Sequence, residues 1–247
     1  MQKVGSFPLT LKESSAAEKI TGSSLIWTLE DSGNPNILYG VRENGHIIKK
    51  IEITNAQNID WEGLTSDSLG NLYIADFGNN KKERDHFTIY KVPSPEHSNQ
   101  KIMADVITFK LPSNTKPLDF ESIFIYNNYF YIISKKKTKT NVFKVPTTIG
   151  NHTAEYVCTF NLEGDSQKIA SADISKDGKT IVLLNKNTIW KITDFNADDF
   201  CNSTIEKIAL HHISQKEGIC FKDENTVYIT DERIWFIGGN IYTFKIN

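Results

Sequence analysis

Acidic residues recur at the ends of short apolar runs in this 247-residue chain. The stretch "DWEGLTSDSLGNLYIADFGNN" at 60–80 places Glu62 at the start of one such run and Asp76 at the end of the next, with a polar turn between them. If both runs are strands, the chain turns back on itself and the two carboxylates meet at one end of a hairpin. Carboxylates gathered in this way suit the binding of a hard cation or the transfer of a proton.

The same strand–turn–strand pattern occurs five times along the chain. The copies are "GSSLIWTLEDSGNPNILYGV" (22–41), residues 60–80, "DFESIFIYNNYFYIISKK" (119–136), "SADISKDGKTIVLLNKN" (171–187) and "KEGICFKDENTVYITDE" (216–232). The equivalent opening positions are Ser23, Glu62, Glu121, Ala172 and Glu217. Runs rich in β-branched and aromatic residues follow the copies, at 46–53, 87–92, 105–111, 141–145, 154–162, 188–192, 206–210 and 240–246. About four strands in every 40 to 60 residues is the period of a propeller blade.

The repeat predicts an all-β fold, a five-bladed β-propeller with four-stranded antiparallel blades, and six blades as the alternative. We expect residues 1–247 to form a single domain. Within the N-terminal segment 1–20, "FPLTL" (7–11) is expected to add an outer strand to the last blade and close the ring, and "SSAAEKI" (14–20) to form at most two helical turns. The four tryptophans are expected to pack between blades; they are Trp27, Trp61, Trp190 and Trp235.

Composition excludes several classes of partner. With 28 basic and 30 acidic residues, the chain has no electrostatic footprint for nucleic acid. No apolar run approaches the length of a membrane span, and the first residues lack the apolar core of a signal peptide. Three cysteines make a disulfide framework improbable, although one pair can form. We expect a monomer whose partner is a small molecule or a protein.

The inner strands of a propeller line a central channel, so residues at the ends of these strands converge at its mouth. The residues expected at the mouth are Asp31, Glu62, Asp76, Glu121, Lys135, Asp173, Asn185, Glu217 and Glu232. So many acids in one place are costly unless a cation or a proton relieves their repulsion. Oxygen donors without cysteine or paired histidine suit Ca²⁺, and Glu62, Glu121 and Glu217 are the predicted ligands. The alternative is that these residues cap turns and bind backbone amides of neighbouring blades.

The motifs "LIWTLEDSG", "DWEGL", "LYIADFGNN", "DFESI", "ADISKDGKTIVLL" and "KEGICF" occur in an order that resembles a group of bacterial, largely uncharacterised β-propeller proteins with DWEG and DSG blade motifs. That resemblance covers most of the chain. It implies export with a leader removed, and hence an extracytoplasmic (periplasmic or secreted) location.

Two better-understood propeller families share parts of the pattern. Residues 60–80 and 216–235 resemble β-propeller phytases, which use calcium to hold phosphate. The Glu-Gly openings resemble the gluconolactonase and senescence-marker family, which holds one divalent metal in the channel. Carried over by position, Glu62, Glu121 and Glu217 match the glutamate of these motifs, whereas Ala172 departs from it.

Two functions follow from these observations. The favoured hypothesis is a binding module that takes a ligand or a partner protein at the channel mouth. The alternative is a calcium-dependent hydrolase of a phosphoester or a lactone, in which the ion polarises the scissile group and a free carboxylate such as Asp76 acts as general base. The sequence contains no nucleophile elbow and no phosphate-binding loop, and it leaves open whether the chain is an enzyme.

Overall fold

A computed structural model of the chain describes residues 1–162, 167–196, 199–235 and 237–247. Within these residues the regular structure consists of twenty-one strands and two short 3₁₀ helices, at Pro95–His97 and Phe200–Asn202. The strands are β1 (Gln2–Ser6), β2 (Ile26–Thr28), β3 (Ile37–Val41), β4 (Ile47–Ile53), β5 (Trp61–Ser66), β6 (Leu72–Asp76), β7 (His86–Val92), β8 (Lys101–Ile102), β9 (Asp105–Lys110), β10 (Phe120–Tyr126), β11 (Tyr129–Ser134), β12 (Thr140–Pro146), β13 (Gly150–Thr153), β14 (Glu155–Phe160), β15 (Ser171–Ile174), β16 (Ile181–Leu184), β17 (Thr188–Thr193), β18 (Thr204–Ala209), β19 (Lys216–Asp223), β20 (Thr226–Asp231) and β21 (Asn240–Lys245).

The strands form five sheets, one for each blade. From the channel outward, blade 1 is β2-β3-β4-β8, blade 2 is β5-β6-β7-β9-β13, blade 3 is β10-β11-β12-β14, blade 4 is β15-β16-β17-β18 and blade 5 is β19-β20-β21-β1. The inner strand β10 contacts both β5 and β15, and β15 contacts β19, so the inner strands lie side by side. The predicted all-β, five-bladed propeller is confirmed.

Strand β1 closes the ring. It pairs antiparallel with β21, from Gln2 opposite Thr243 to Ser6 opposite Asn240, and is therefore the outer strand of blade 5. This strand lies just before residues 7–11, which were expected to take that place. Residues 8–11 form a turn instead, because Pro8 has no amide hydrogen for a sheet and its carbonyl accepts the N–H of Leu11 at 3.0 Å. Closure covers the edge of β21 that an open array would expose.

An extended segment, rather than a helix, occupies the innermost position of blade 1. Ser14 forms an antiparallel bridge with Glu30, and Glu18 forms one with Trp27. The N–H of Glu18 donates to the carbonyl of Trp27 at 2.9 Å, and the N–H of Trp27 donates back at 2.7 Å. The expected helical turn at 14–20 is therefore wrong, because the amides that a helix needs bond to β2 instead. Strands β2 and β3 are consequently the second and third of their blade, rather than the first and second.

The hydrogen-bond register also corrects two of the five opening positions. In blades 2, 3 and 5 the inner strand has an irregularity at which one residue has no cross-strand partner. These residues are Glu62, Glu121 and Glu217. Ser15 holds the equivalent position in blade 1 in place of Ser23, and Ala170 holds it in blade 4 in place of Ala172. The shift in blade 4 arises because the turn between β15 and β16 is longer than the turn between β19 and β20.

Apolar side chains pack in five buried clusters, each between two adjacent blades. Trp27 and Trp61 share the cluster between blades 1 and 2, and Trp190 lies in the cluster between blades 3 and 4. These three side chains are 0%, 0% and 1% exposed, as expected for packing between blades. Trp235 is 87% exposed on a hairpin, so the expectation for this fourth tryptophan is wrong.

Three connections tie neighbouring blades together at their outer edges. Strand β8 comes from the chain segment of blade 2 but pairs with β4 of blade 1, and β13 comes from blade 3 but pairs with β9 of blade 2. A disulfide between Cys158 and Cys201 joins blade 3 to blade 4, while Cys220 is buried and free. The two strand pairings cover edges of β4 and β9 that would otherwise be unpaired, and the disulfide adds a covalent link. No helix in the described ranges has the length and apolarity needed to cross a membrane.

Candidate functional site

One hydrogen bond recurs in four blades and defines the channel mouth. A residue one to three positions after the second strand donates its backbone N–H. The acceptor is the carbonyl of the residue two positions before the opening position. The pairs are Asp31 with Glu13, Gly78 with Asp60, Lys135 with Asp119, and Glu232 with Gln215. Because the same bond recurs in blades 1, 2, 3 and 5, these eight residues lie at one level around the channel.

Three carboxylates meet at this level between blades 1 and 2. One oxygen each from Asp31, Asp60 and Glu62 lies within 4.8 Å of the other two. Glu62 is only 6% exposed. Burial and the charges of Glu121, Asp31 and Asp60 raise the pKa of Glu62 well above its ordinary value. Burial and the neighbouring Asp31 raise the pKa of Asp60 to about 6. We call these three residues the carboxylate cluster.

Space for the Asp60 carboxylate depends on Gly78. A Cβ atom at position 78 would lie 2.4 Å from both the carboxyl carbon and an oxygen of Asp60, which is far inside van der Waals contact. The recurrent bond places Gly78 where the other blades carry Asp31, Lys135 and Glu232. Blade 2 therefore omits a side chain at this level, and the carboxylate of Asp60 lies in the space.

Lys135 is the cation on the other side of the mouth, where it forms an ion pair with Glu121. Burial alone would lower the pKa of Lys135, but Glu121, Glu217 and Glu62 raise it above the ordinary value, so the side chain is charged. Burial raises the pKa of Glu121 to about 8, although Lys135 opposes this shift. Burial likewise raises the pKa of Glu217.

Glu232 extends the acidic surface to blade 5. Its carboxylate accepts a hydrogen bond from the side-chain amide of Gln215. Burial, followed by the charges of Glu217, Glu13 and Asp31, raises the pKa of Glu232 to about 7. The structure thus brings together six of the residues predicted for the mouth: Asp31, Glu62, Glu121, Lys135, Glu217 and Glu232.

Asp76 lies beneath the mouth and supports it. Its carboxylate forms an ion pair with Arg84 at 2.8 Å. It also accepts the backbone N–H of Asp60 at 3.1 Å and that of Ile59 at 3.5 Å. The side chain is completely buried. Asp76 therefore positions the segment that carries Asp60, and its own oxygens are occupied.

Asp173 and Asn185 are also placed away from the mouth. The carboxylate of Asp173, further along β15, accepts the N–H of Phe221 at 2.8 Å and that of Ile174 at 2.7 Å. Burial raises the pKa of Asp173 to about 7. The side-chain oxygen of Asn185 accepts the N–H of Thr188 at 2.9 Å and shapes the turn before β17. Both contacts are of the kind expected if such residues bind backbone amides.

Sequence reasoning missed Asp60 and Glu13. A signal for Asp60 was present, because an acid or an amide stands two positions before each predicted glutamate ligand in "DWEG", "DFES" and "QKEG". Glu13 has no such signal, because residues 13–18 do not resemble the opening strands of the other copies.

Comparisons with known proteins support the fold and nothing finer. No protein-family model and no curated protein matches the chain. The chain is similar in structure to a luciferin-regenerating enzyme, with a TM-score of 0.54 and 13% identity over 94% of this chain and 77% of that one. It is also similar to a chain from a nidogen/laminin complex, with a TM-score of 0.53 and 10% identity over 93% of this chain and 83% of that one. For the hydrazine synthase of Kuenenia stuttgartiensis the TM-score is 0.48 and the identity is 14% over 96% of this chain. The chain spans 64% of the length of that protein.

Proposed function

We propose that the protein is a ligand-binding β-propeller whose channel mouth takes a calcium ion at the carboxylate cluster. The observation that carries the proposal is the approach of one oxygen from each of Asp31, Asp60 and Glu62 to within 4.8 Å of the others. Three carboxylates this close repel one another, and a bound cation relieves the repulsion. All the donors are hard oxygens, which suit Ca²⁺ better than a thiophilic or imidazole-binding metal.

The proposed ligand set revises the set predicted from the sequence. Glu62 is common to both. Glu121 is paired with Lys135, which already supplies a positive charge, and Lys135 also attracts Glu217. Asp31 and Asp60 therefore take their places. Since Ca²⁺ takes about six to eight oxygen ligands, three carboxylates leave positions for water or for the oxygens of a bound ligand.

A calcium-dependent hydrolase of a phosphoester or a lactone is the second candidate. The observation that favours it is Lys135, a charged side chain within electrostatic reach of Glu62. A cation beside a metal ion can stabilise negative charge that develops on a scissile phosphoryl or carbonyl oxygen. Under this candidate the calcium ion polarises the substrate and Lys135 binds its anionic group.

We also propose an extracytoplasmic location for the protein. The disulfide between Cys158 and Cys201 supports it, because disulfides persist in oxidising compartments and are rare in the cytosol. The monomeric state expected from the sequence stays a prediction.

Calcium-dependent melting of the purified protein tests the proposal. The wild type is compared with Glu62→Gln and Asp60→Asn, with Glu224→Gln as matched control, since Glu224 is exposed on the hairpin between β19 and β20. Calcium at a hundred times its dissociation constant should add about 2.7 kcal/mol to the wild type and the control, and much less to the two cluster variants. An unchanged calcium response in both cluster variants would place the ion elsewhere and contradict the proposal.

Turnover separates the two candidates. Calcium-loaded wild type is assayed on p-nitrophenyl phosphate and on a simple lactone, beside Glu62→Gln and Lys135→Met. Hydrolysis that requires calcium and is lost in both variants would favour the hydrolase. Calcium binding without turnover supports the binding module.

A further inference from the structure

Trp235 stands at the tip of a short hairpin beside the mouth. Ile234 and Ile237 pair through two backbone hydrogen bonds of 2.8 and 3.0 Å, and Trp235 follows the first of them. Trp235 is 87% exposed and has a φ of 59°. Bulky side chains rarely adopt this left-handed conformation, and it persists only where the surrounding structure enforces it.

The base of the hairpin is tightly folded. A Cβ atom on Gly238 would lie 2.1 Å from the carbonyl oxygen of Glu232, and one on Gly239 would lie 2.4 Å from the guanidinium of Arg233. That guanidinium donates a hydrogen bond to the carbonyl of Phe7 at 2.7 Å, which ties the base of the hairpin to the neighbouring loop. The hairpin therefore holds Trp235 outward from a compact base.

Two neighbouring loops are hydrogen-bonded to this base. The N–H of Phe7 donates to Gly239 at 2.7 Å, and the N–H of Arg233 donates to Lys12 at 2.9 Å. The loop before β19 is tied to the base by the N–H of Glu232, which donates to the carbonyl of Gln215 at 2.8 Å, and Lys216 holds this loop internally by donating to the carbonyl of His212 at 2.9 Å. Hydrogen bonds therefore join the hairpin and these two loops at the blade 5 side of the mouth.

Five large apolar side chains are exposed on these loops, and we call them the apolar rim. They are Leu9 (67% exposed), Ile213 (97%), Ile234 (47%), Trp235 (87%) and Ile237 (77%). Single exposed apolar residues are ordinary, but several on adjoining loops indicate an interaction surface. A rigidly presented tryptophan is also the residue type that most often carries binding energy in interfaces.

The apolar rim adjoins the acidic side of the mouth. Glu232 lies at the base of the hairpin, and the charges acting on it are first of all those of Glu217 and Glu13. Lys135, which is paired with Glu121, and Lys186 act on Glu217. The carboxyl groups of this acidic edge, which faces the apolar rim, therefore repel one another, and a cation from a partner would relieve their repulsion.

We propose that the apolar rim and this acidic edge bind a segment of a partner protein in which apolar side chains lie next to a lysine or an arginine. The apolar side chains pack against Trp235, and the cation faces Glu217 and Glu232. Charge complementarity favours this partner over an anionic membrane surface, which the same carboxylates repel. The inference deepens the proposed binding function at the mouth, and it rests on Trp235, Glu217 and Glu232, none of which is a proposed calcium ligand.

Trp235 supplies a built-in reporter for a test, because the other three tryptophans are buried. Four capped peptides of equal length combine an apolar or a polar pair with a lysine or a glutamate: Leu-Leu-Lys, Leu-Leu-Glu, Ser-Ser-Lys and Ser-Ser-Glu within the same Gly-Ser flanks. Acrylamide quenching of tryptophan fluorescence is measured as each peptide is titrated into the calcium-loaded protein. We expect saturable protection from quenching by Leu-Leu-Lys, at least tenfold tighter than by any other peptide.

Variants separate the two features of the surface. Because Trp235→Ser removes the reporter, peptide binding to this variant is measured by the fluorescence anisotropy of a labelled peptide. We expect the variant not to bind the Leu-Leu-Lys peptide. Glu217→Gln with Glu232→Gln should weaken Leu-Leu-Lys to the level of Leu-Leu-Glu. Asp60→Asn should keep peptide binding while losing calcium, so failure of this inference and failure of the proposed function are distinguishable.

Several results would overturn the inference. Equal affinity for the lysine and glutamate peptides would show that charge does not contribute to binding. If no peptide protects Trp235 from quenching, the apolar rim is not a peptide-binding surface. Protection of Trp235 by phosphatidylcholine vesicles would identify a lipid surface as the occupant. Protection that grows with protein concentration alone would identify a second copy of the chain.

Discussion

Glu62 and Asp76 begin and end the same hairpin, yet the structure surrounds their carboxylates in opposite ways. Asp76 has Arg84 at 2.8 Å and two backbone N–H groups within hydrogen-bond distance. Glu62 faces the carboxylates of Asp31 and Asp60 instead. Both side chains are buried, so burial alone does not separate a supporting acid from one proposed to bind a ligand. The groups in contact with each carboxylate separate the two.

Blade 5 repeats this division. Asp231 occupies the position of Asp76 and accepts hydrogen bonds from the N–H of Asn240 at 2.6 Å and the hydroxyl of Tyr242 at 3.0 Å. Glu217 occupies the position of Glu62, on the acidic side of the mouth. The propeller therefore has a supporting layer of satisfied acids beneath a mouth layer of crowded acids. Repulsion among the acids of the mouth layer disfavours their ionised forms, and a bound cation would relieve it.

Removing the carboxylate of Asp76 should have the largest effect on stability. Asp76→Ala leaves Arg84 with an uncompensated charge and frees two backbone N–H groups, which should cost about 3–5 kcal/mol of unfolding free energy. Urea unfolding of the variant beside the wild type measures this. A loss no larger than that of the exposed control Glu224→Gln would contradict the division into layers.

Filling the space beside Asp60 should have a smaller effect, on binding rather than on folding. Gly78→Ala places a methyl group against the Asp60 carboxylate and moves it out of the cluster. Calcium affinity should fall about tenfold, or about 1.4 kcal/mol, as measured by isothermal titration calorimetry. Unchanged affinity would show that Asp60 is not a ligand, whatever happens to the melting temperature.

Neutralising Glu62 should have the smallest effect and the opposite sign. In the presence of a chelator, Glu62→Gln removes a carboxyl group whose ionised form burial and the neighbouring acids disfavour in the folded state, so the unfolding free energy should rise by on the order of 1 kcal/mol. Denaturant unfolding of the two proteins at neutral pH checks this. A destabilised variant would mean that Glu62, like Asp76, belongs to the supporting layer.

The repeat in the sequence was sufficient to favour five blades over six and to predict most of their strands, but not the outer strands β1, β8 and β13. Alternation of apolar and polar residues marks strands wherever one face of a sheet packs on a neighbouring blade. The prediction failed in blade 1, because the segment at 13–18 consists mostly of small and polar residues and pairs through isolated bridges. Such pairing is decided by the neighbouring strand β2, which a local pattern does not reveal.

The site was predicted in part for a similar reason. Glu62, Glu121 and Glu217 stand at equivalent places in the repeat, and the hydrogen-bond register keeps them equivalent in space. The partners of each acid depend on tertiary contacts: Arg84 reaches back to Asp76, and Gly78 makes room for Asp60. Residue type alone did not distinguish Trp235 from the three buried tryptophans, because exposure is set by where the hairpin points.

The pH dependence of unfolding, with and without calcium, tests the central claim most directly. The pKa values of Asp60, Glu121 and Glu232 are raised to about 6, 8 and 7, so the folded state keeps protons that the unfolded state has released. The contribution of these acids to the unfolding free energy should therefore fall as pH rises from about 4 to about 8.

If calcium binds the ionised cluster as proposed, it should remove the part of this decline that comes from the cluster, and it should stabilise the protein most at the upper end of the range. We expect a falling curve in chelator and a shallower one in calcium, and we expect Glu62→Gln to be shallower than the wild type in chelator. Parallel curves with and without calcium would contradict it.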